Sequence, residues 1–167
     1  AHRMLWIMPQ CFVEIRGPWK YNEQLDQVAL PGAVLNCRQP SVGEIRWQVW
    51  SALSAGVRGF FWYVFLPPSD GNPGAKPYVD PRFPPAMAAK VPTSAHGPGG
   101  LIRPDGRATP QYTAIAEVFA TLRPLLPLLR GVLPCNPPLG KVSAPGWIGG
   151  LTNPELKRTF AVVVNED

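Results

Sequence analysis

Apolar positions in the stretch Ser41–Phe65, SVGEIRWQVWSALSAGVRGFFWYVF, follow two different rhythms. Ile45, Val49, Ala52 and Leu53 recur at helical spacing and form one core-facing stripe. Ser41 followed by Glu44 is a capping box: the hydroxyl accepts from an orphan helix N–H while the carboxylate reaches back. The spacing therefore predicts a helix over Val42–Ala55. Gly56 stops it, because glycine takes the left-handed conformation at a helix end without a Cβ penalty. Phe60–Phe65, FFWYVF, is then continuously aromatic or β-branched. It is predicted as a strand apolar on both faces, of the kind found in parallel sheets covered by helices. Helix, short turn and all-apolar strand make half of an α/β repeat.

The flanking pattern extends this reading. Met4–Met8 (MLWIM) is a short apolar strand ended by Pro9. Residues 10–40 carry turn signals at Gly17-Pro18, Pro31-Gly32 and Gln39-Pro40, and are expected to be a loop with one helical turn around Tyr21–Val28. A second long loop covers 67–108. Thr109 as N-cap and Pro110 at the first helical position restart a helix, with Ile115, Val118, Phe119 and Leu122 as its apolar stripe. Pro124 should end or kink it, and Leu125–Leu129 continues as a buried turn. After Pro134–Pro138 the texture changes. Trp147–Leu151 and Phe160–Val164 read as two strands joined by a connector with Asn153-Pro154. The predicted division is 1–133 for an α/β portion and 134–167 for a linker and the first strands of a β-domain.

Both strand-to-helix loops are long, about 30 and 40 residues, and structureless loops beyond about 15 are usually functional. In α/β folds the functional face lies at the carboxyl ends of the strands. The loop lengths point to that end.

Composition narrows the class. The chain has 167 residues, 46% hydrophobic and 16% charged, which suits a globular domain. Its 22 prolines and 16 glycines make up about a quarter of it, consistent with long irregular connections. No apolar run reaches the roughly 18 residues of a membrane span. The net charge of +5 comes from scattered Lys and Arg without a basic cluster, so neither a membrane nor a nucleic-acid partner is expected. Cys11, Cys37 and Cys135 are an odd set and form no disulfide framework. Cys11 and Cys37 bracket one loop and could clip it; three free thiols is the other reading. AHRMLWIM and TFAVVVNED both read as strand. The sequence is therefore expected to be a portion of something larger.

Three segments together resemble a known family. Pro9-Gln10 closing a strand, SVGEIRWQVWSALSAGVRGFFWY, and PDGRATPQYTAIAEV are similar to the C-terminal quarter of (β/α)8-barrel glycoside hydrolases of the retaining β-galactosidase-like clan. The resemblance covers about Leu5–Leu129, and WIGGL with FAVVVN resembles the β-sandwich that follows such barrels. It implies an incomplete (β/α)8 barrel, holding its last βαβα units, followed by the start of a β-sandwich. Met4–Met8 would be strand seven, Phe60–Phe65 strand eight and Thr109–Arg123 the last helix. The remaining strands would come from another chain or segment. The implied partner is a carbohydrate, the implied location extracellular or periplasmic, and a homo-oligomer is compatible. No cofactor or metal is implied.

Retaining glycoside hydrolysis needs two carboxylates about 5–5.5 Å apart. In the resembled clan the nucleophile is a Glu at the end of strand seven, where this sequence has Gln10. An amide hydrogen-bonds a sugar hydroxyl but does not attack an anomeric carbon. Glu14, four residues on, is the candidate catalytic carboxylate; its other reading is a loop carboxylate paired to Arg16. Trp62 and Tyr63 alternate in direction along the strand, so one of them could stack on a sugar ring or both could be core. Trp19, Tyr21 and Tyr78, in the long loops, are candidate ligand contacts, as is Gln10. Asp70, Asp80 and Asp105 lie in the second loop. SDGN at 69–72 and DG at 105–106 read first as turns; calcium ligation by Asp70 and Asn72 is the other reading, though no DxDxDG loop is present. His2 and His96 suggest no metal pair. Two functions follow from the resemblance: hydrolysis with carboxylates mostly outside this chain, or a non-catalytic glycan-binding or structural role. A proline-rich interaction module over 67–108 is a third.

Overall fold

A computed structural model describes residues 5–67, 96–135 and 146–165. In chain order the elements are β1 (Trp6–Ile7), β2 (Glu14–Arg16), β3 (Trp19–Tyr21), β4 (Gln27–Ala29) and β5 (Val34–Cys37). There follow α1 (Val42–Ser54), β6 (Gly59–Phe60), β7 (His96–Gly97) and α2 (Pro110–Leu122). A 3-10 turn (Arg123–Leu125), α3 (Leu126–Leu129), β8 (Leu133–Pro134), β9 (Gly146–Asn153) and β10 (Arg158–Asn165) complete the set. The chain separates into two compact units. The first holds Ala1–Pro9, Val42–Phe61 and Thr113–Asp167; the second holds Gln10–Ser41 and Trp62–Tyr112.

In the first unit, α1 buries Ile45 and Val49 completely, the stripe that the apolar spacing predicts. It ends at Gly56, whose φ is +84°. A Cβ there would also meet the ring of Pro134 at 2.5 Å, so a side chain is excluded twice over. β1 and β6 then pair in parallel, Trp6 with Gly59 and Ile7 with Phe60. The ring of Trp6 lies directly over Gly59, 2.3 Å from where a Cβ would be, and against Phe61 at 5.0 Å between centroids. α2 buries Ala114, Ile115, Val118 and Leu122 and leaves Glu117 and Thr121 exposed. Pro124 breaks its ladder into the 3-10 turn, as its missing N–H requires. The helical run Pro110–Leu129 has a mean hydropathy of 1.2 and is long and apolar enough, by length and composition, to cross a membrane. Its buried stripe is that of an amphipathic helix lying on a core.

β9 and β10 form a regular antiparallel hairpin from Arg158↔Asn153 to Asn165↔Gly146, with β8 on the far side of β9. Gly149 lets the hairpin approach α1: its Cβ would sit 2.3 Å from Cβ of Ser54. Asn153 is buried. Its Nδ2 donates to the carbonyls of Leu128 and Arg130, and its Oδ1 accepts from Leu156 N–H. One side chain thereby satisfies the end of α3 and the hairpin turn together.

The second unit is built from short strands. β2 pairs with β5, β3 with β4, and β4 with β7, all antiparallel. Val13, Ile15, Trp19, Ala29 and Ala33 form its core, with Tyr21 and Leu35 packed against it. The turn between β3 and β4 is set by Asn22, whose Oδ1 accepts from the N–H groups of Gln24 and Asp26.

These observations correct the expectation of an incomplete (β/α)8 barrel running into a β-sandwich. Among the described residues the sheets have two or three strands and are antiparallel except for the β1–β6 pair. That pair is two residues long. FFWYVF is not a strand buried on both faces: regular pairing stops at Phe60, and Phe61, Tyr63 and Phe65 are exposed. Residues 10–40 are four strands, not a loop with a helical turn. The β9–β10 hairpin packs on α1 instead of facing a second sheet.

Candidate functional site

Gln10, Tyr63 and Trp62 come together in the second unit. Gln10 and Tyr63 form an isolated parallel bridge. The Gln10 amide Nε2 donates to the carbonyls of Phe12, at 2.9 Å, and Arg38, at 2.5 Å. Gln39 Nε2 donates to the Cys11 carbonyl. These bonds fix residues 10–12 against 38–39 through side-chain amides, where the backbone has no ladder of its own.

Cys11 is fully buried, and its thiol donates to the carbonyl of Tyr63 at 3.1 Å. Burial pushes that thiol up to about 12, partly offset by a backbone hydrogen bond from Val64, so it stays protonated. The other side of the 62–67 segment is held by backbone. Leu101 N–H reaches the carbonyls of Val64 and Phe65, and Ile102 N–H reaches that of Phe65. Gly100 allows this approach, since a Cβ there would lie 2.9 Å from the Val64 carbonyl oxygen.

The backbone of Tyr63 is thus pinned from two directions while its side chain remains 55% exposed. Phe12 meets the Tyr63 ring edge-on at 5.4 Å. Phe65 is exposed too, and meets Tyr112 at 6.5 Å, also edge-on. Trp62 is half-buried and Tyr63 exposed, without the barrel that was to set their directions. What results is a row of outward aromatics on a fixed backbone, with Gln10 bridged to Tyr63 through the main chain.

The other candidates fall elsewhere. Glu14 lies on β2, where Oε1 accepts from Arg16 Nε at 3.2 Å and Oε2 from Asn36 Nδ2 at 2.5 Å. It is a cross-strand tie between β2 and β5, the paired-carboxylate reading. Cys37 lies 3.9 Å from the same carboxylate; burial first and the Glu14 charge second raise its thiol. Trp19 is not a loop contact. It is 7% exposed, sits in the core of the second unit and meets Tyr21 edge-on at 5.1 Å. Asp105 is a turn residue, as read: it accepts from Arg107 N–H, which holds its carboxyl below the usual range. Tyr78, Asp70, Asn72, Asp80 and His2 lie outside the described residues. Cys11, Cys37 and Cys135 are all free thiols, which settles the clip in favour of its alternative. No group of three His, Cys, Asp or Glu among the described residues is arranged to hold a metal.

Phe12, Phe65 and Tyr112 were not among the candidates. Phe65 had a signal, since it follows Tyr63 by two in an extended segment. Phe12 follows Gln10 by two in the same way. Tyr112 had none, because only the fold brings it to Phe65. Comparison with protein-family models, curated proteins and solved structures finds no match to this chain.

Proposed function

We propose that the second unit binds carbohydrate without hydrolysing it, through the exposed face of Tyr63 with Phe12 beside it. A pyranose ring has an apolar C–H face and a rim of hydroxyls. An aromatic ring that needs no rearrangement covers the face, and amide or guanidinium groups beside it serve the hydroxyls. The observation that carries this reading is Tyr63: a large ring, more than half exposed, on a backbone held by Cys11 on one side and by the 100–102 loop on the other. Preorganisation of this kind lowers the ordering cost of binding. The resemblance in PDGRATPQY and in the helix-to-strand stretch supports the choice of sugar over other ligands. Glu14 supports binding over hydrolysis, because both of its oxygens are engaged by Arg16 and Asn36 across the β2–β5 pair.

The test is a titration of the protein with β-linked gluco- and galacto-oligosaccharides, followed by NMR. The expected outcome is millimolar or tighter binding with shifts concentrated at Phe12, Tyr63 and Phe65. Tyr63→Ala should weaken binding roughly tenfold, about the worth of one good aromatic contact. Glu14→Gln should leave it unchanged. Saturating oligosaccharide that moves none of these resonances rejects the reading.

A further inference from the structure

The first unit holds a cavity of about 490 Å³ between the end of α1, β6 and the run from α2 to α3. Natural small-molecule sites are of this size, about 300–1,000 Å³. Its lining is largely apolar: Val57, Leu122, Val132 and Leu151 are buried. Phe60 and Phe119 also line it and meet edge-on at 5.8 Å.

The charged groups of this lining are all of one sign. Arg58, Arg123 and Arg130 border the cavity, and no Asp or Glu does. Arg16, Arg46, Arg103 and Arg107 each face a carboxylate. Among the described residues, Arg58, Arg123 and Arg130 are in no ion pair; Arg58 Nη1 donates only to the Leu129 carbonyl, at 3.4 Å. Glu155 comes near Gly131 without pairing with Arg130. The sequence accounts for two of the three cations. The segment Arg123–Arg130, RPLLPLLR, carries an arginine at each end of an apolar run. A larger groove beside α1, about 620 Å³ and lined in part by Trp47 and Trp50, offers the control. Its one arginine, Arg46, is already held by Glu117.

We propose that the smaller cavity binds a medium-chain acyl carboxylate, its hydrocarbon chain against the apolar lining and its head group among the three arginines. Like charges gathered around one cavity repel, and an anion seated among them relieves that repulsion. Burial of the chain removes apolar surface from water on both partners. The planar guanidinium matches a carboxylate bidentately. None of the residues assigned to carbohydrate binding lines this cavity, so the two readings stand or fall separately.

Calorimetric titration of the chain with hexanoate, octanoate, decanoate, octanol and octyl phosphate, each below its micelle-forming concentration, is the test. Decanoate should bind with a submillimolar dissociation constant. Each step of two CH2 groups should tighten binding roughly tenfold. Octanol should bind roughly tenfold more weakly than octanoate, since it lacks the charge. Arg123 and Arg130 are exposed, so their replacement leaves the core of the unit intact. Arg123→Gln with Arg130→Gln should weaken decanoate roughly tenfold and leave octanol unchanged. Methyl resonances of Leu122, Val132 and Leu151 should shift with decanoate. Absence of saturation, octanol equal to octanoate, or wild-type decanoate affinity in the double variant overturns the proposal. Octyl phosphate tighter than octanoate overturns the carboxylate head group.

Discussion

The first unit is held by long elements and the second by short ones. In the first, two helices of 13 residues and a hairpin of eight-residue strands bury one stripe or one face each. In the second, no described strand exceeds four residues, and burial depends on a few side chains at alternate positions. Long elements spread their stabilisation over many contacts. A sheet of three-residue strands concentrates it in one large side chain, here Trp19. The two tryptophans of the groove beside α1 offer the contrast, since Trp47 is 44% exposed.

Trp19→Ala should therefore give the largest effect of any single substitution considered for stability. Removing a buried tryptophan costs about 3–5 kcal/mol, and the other residues of the described core, Val13, Ile15, Ala29 and Ala33, are smaller. Trp47→Ala should cost less than about 1 kcal/mol, as surface changes do. Denaturant melts of both variants check this. Near-equal losses would mean that the second unit is not as dependent on one residue as its core suggests.

The next effect is electrical. Cys11 is buried with its thiol raised to about 12, whereas an unfolded cysteine titrates near 8.5. The folded pKa lies above the unfolded one, so the unfolded chain loses its proton first. Stability from this group is fully present below about pH 8.5 and declines above it, by about 1.4 kcal/mol per unit until the folded thiol also ionises. Cys11→Ala should flatten that decline between about pH 9 and 11 in alkaline unfolding curves. In the native protein a thiol reagent should modify the partly exposed Cys37 and Cys135 well before Cys11. Rapid labelling of Cys11 would show that the 10–12 segment opens readily.

The same contrast explains what the sequence disclosed. Helices of 13 residues repeat their apolar stripe several times, so Ile45 and Val49, or Ile115 and Val118, announce themselves. The hairpin did so through two apolar runs around Asn153-Pro154. Three-residue strands repeat nothing. YNEQLDQV has enough helix formers to suggest a turn of helix, but Asn22 takes the N–H groups of Gln24 and Asp26, and Leu25 adopts φ +60°. That side-chain capture converts the segment into a hairpin turn. Trp19 looked like a loop aromatic because Gly17-Pro18 precedes it; its burial depends on Ile15 and Ala29, which only the hairpins bring near. FFWYVF misled for a related reason. Unbroken apolarity suggests burial, yet the segment gains one short strand partner and then turns its rings outward. The candidate surface was accordingly half legible: Gln10, Trp62 and Tyr63 were visible as types, and Phe12 and Tyr112 needed the fold.

The smallest effect concerns the start of α2, where Thr109 makes two hydrogen bonds with its one hydroxyl. Thr109 is buried, its Oγ1 accepts from Tyr112 N–H at 3.3 Å, and it donates to the Leu101 carbonyl at 2.9 Å. The first bond caps a long helix in the way the sequence predicts. The second ties the loop that supports the Val64 and Phe65 carbonyls. Thr109→Ala should cost about 1 kcal/mol, the ordinary worth of an N-cap, and Thr109→Ser should recover most of it because the hydroxyl is what acts. If Thr109 also steadies the loop, the Ala variant should loosen the aromatic row: amide exchange at Leu101 and Ile102 should quicken, and oligosaccharide affinity should fall without any ligand contact being removed. A variant that loses helix stability but leaves those amides protected would separate the two roles and leave Gly100 and the backbone bonds as the supports of Tyr63.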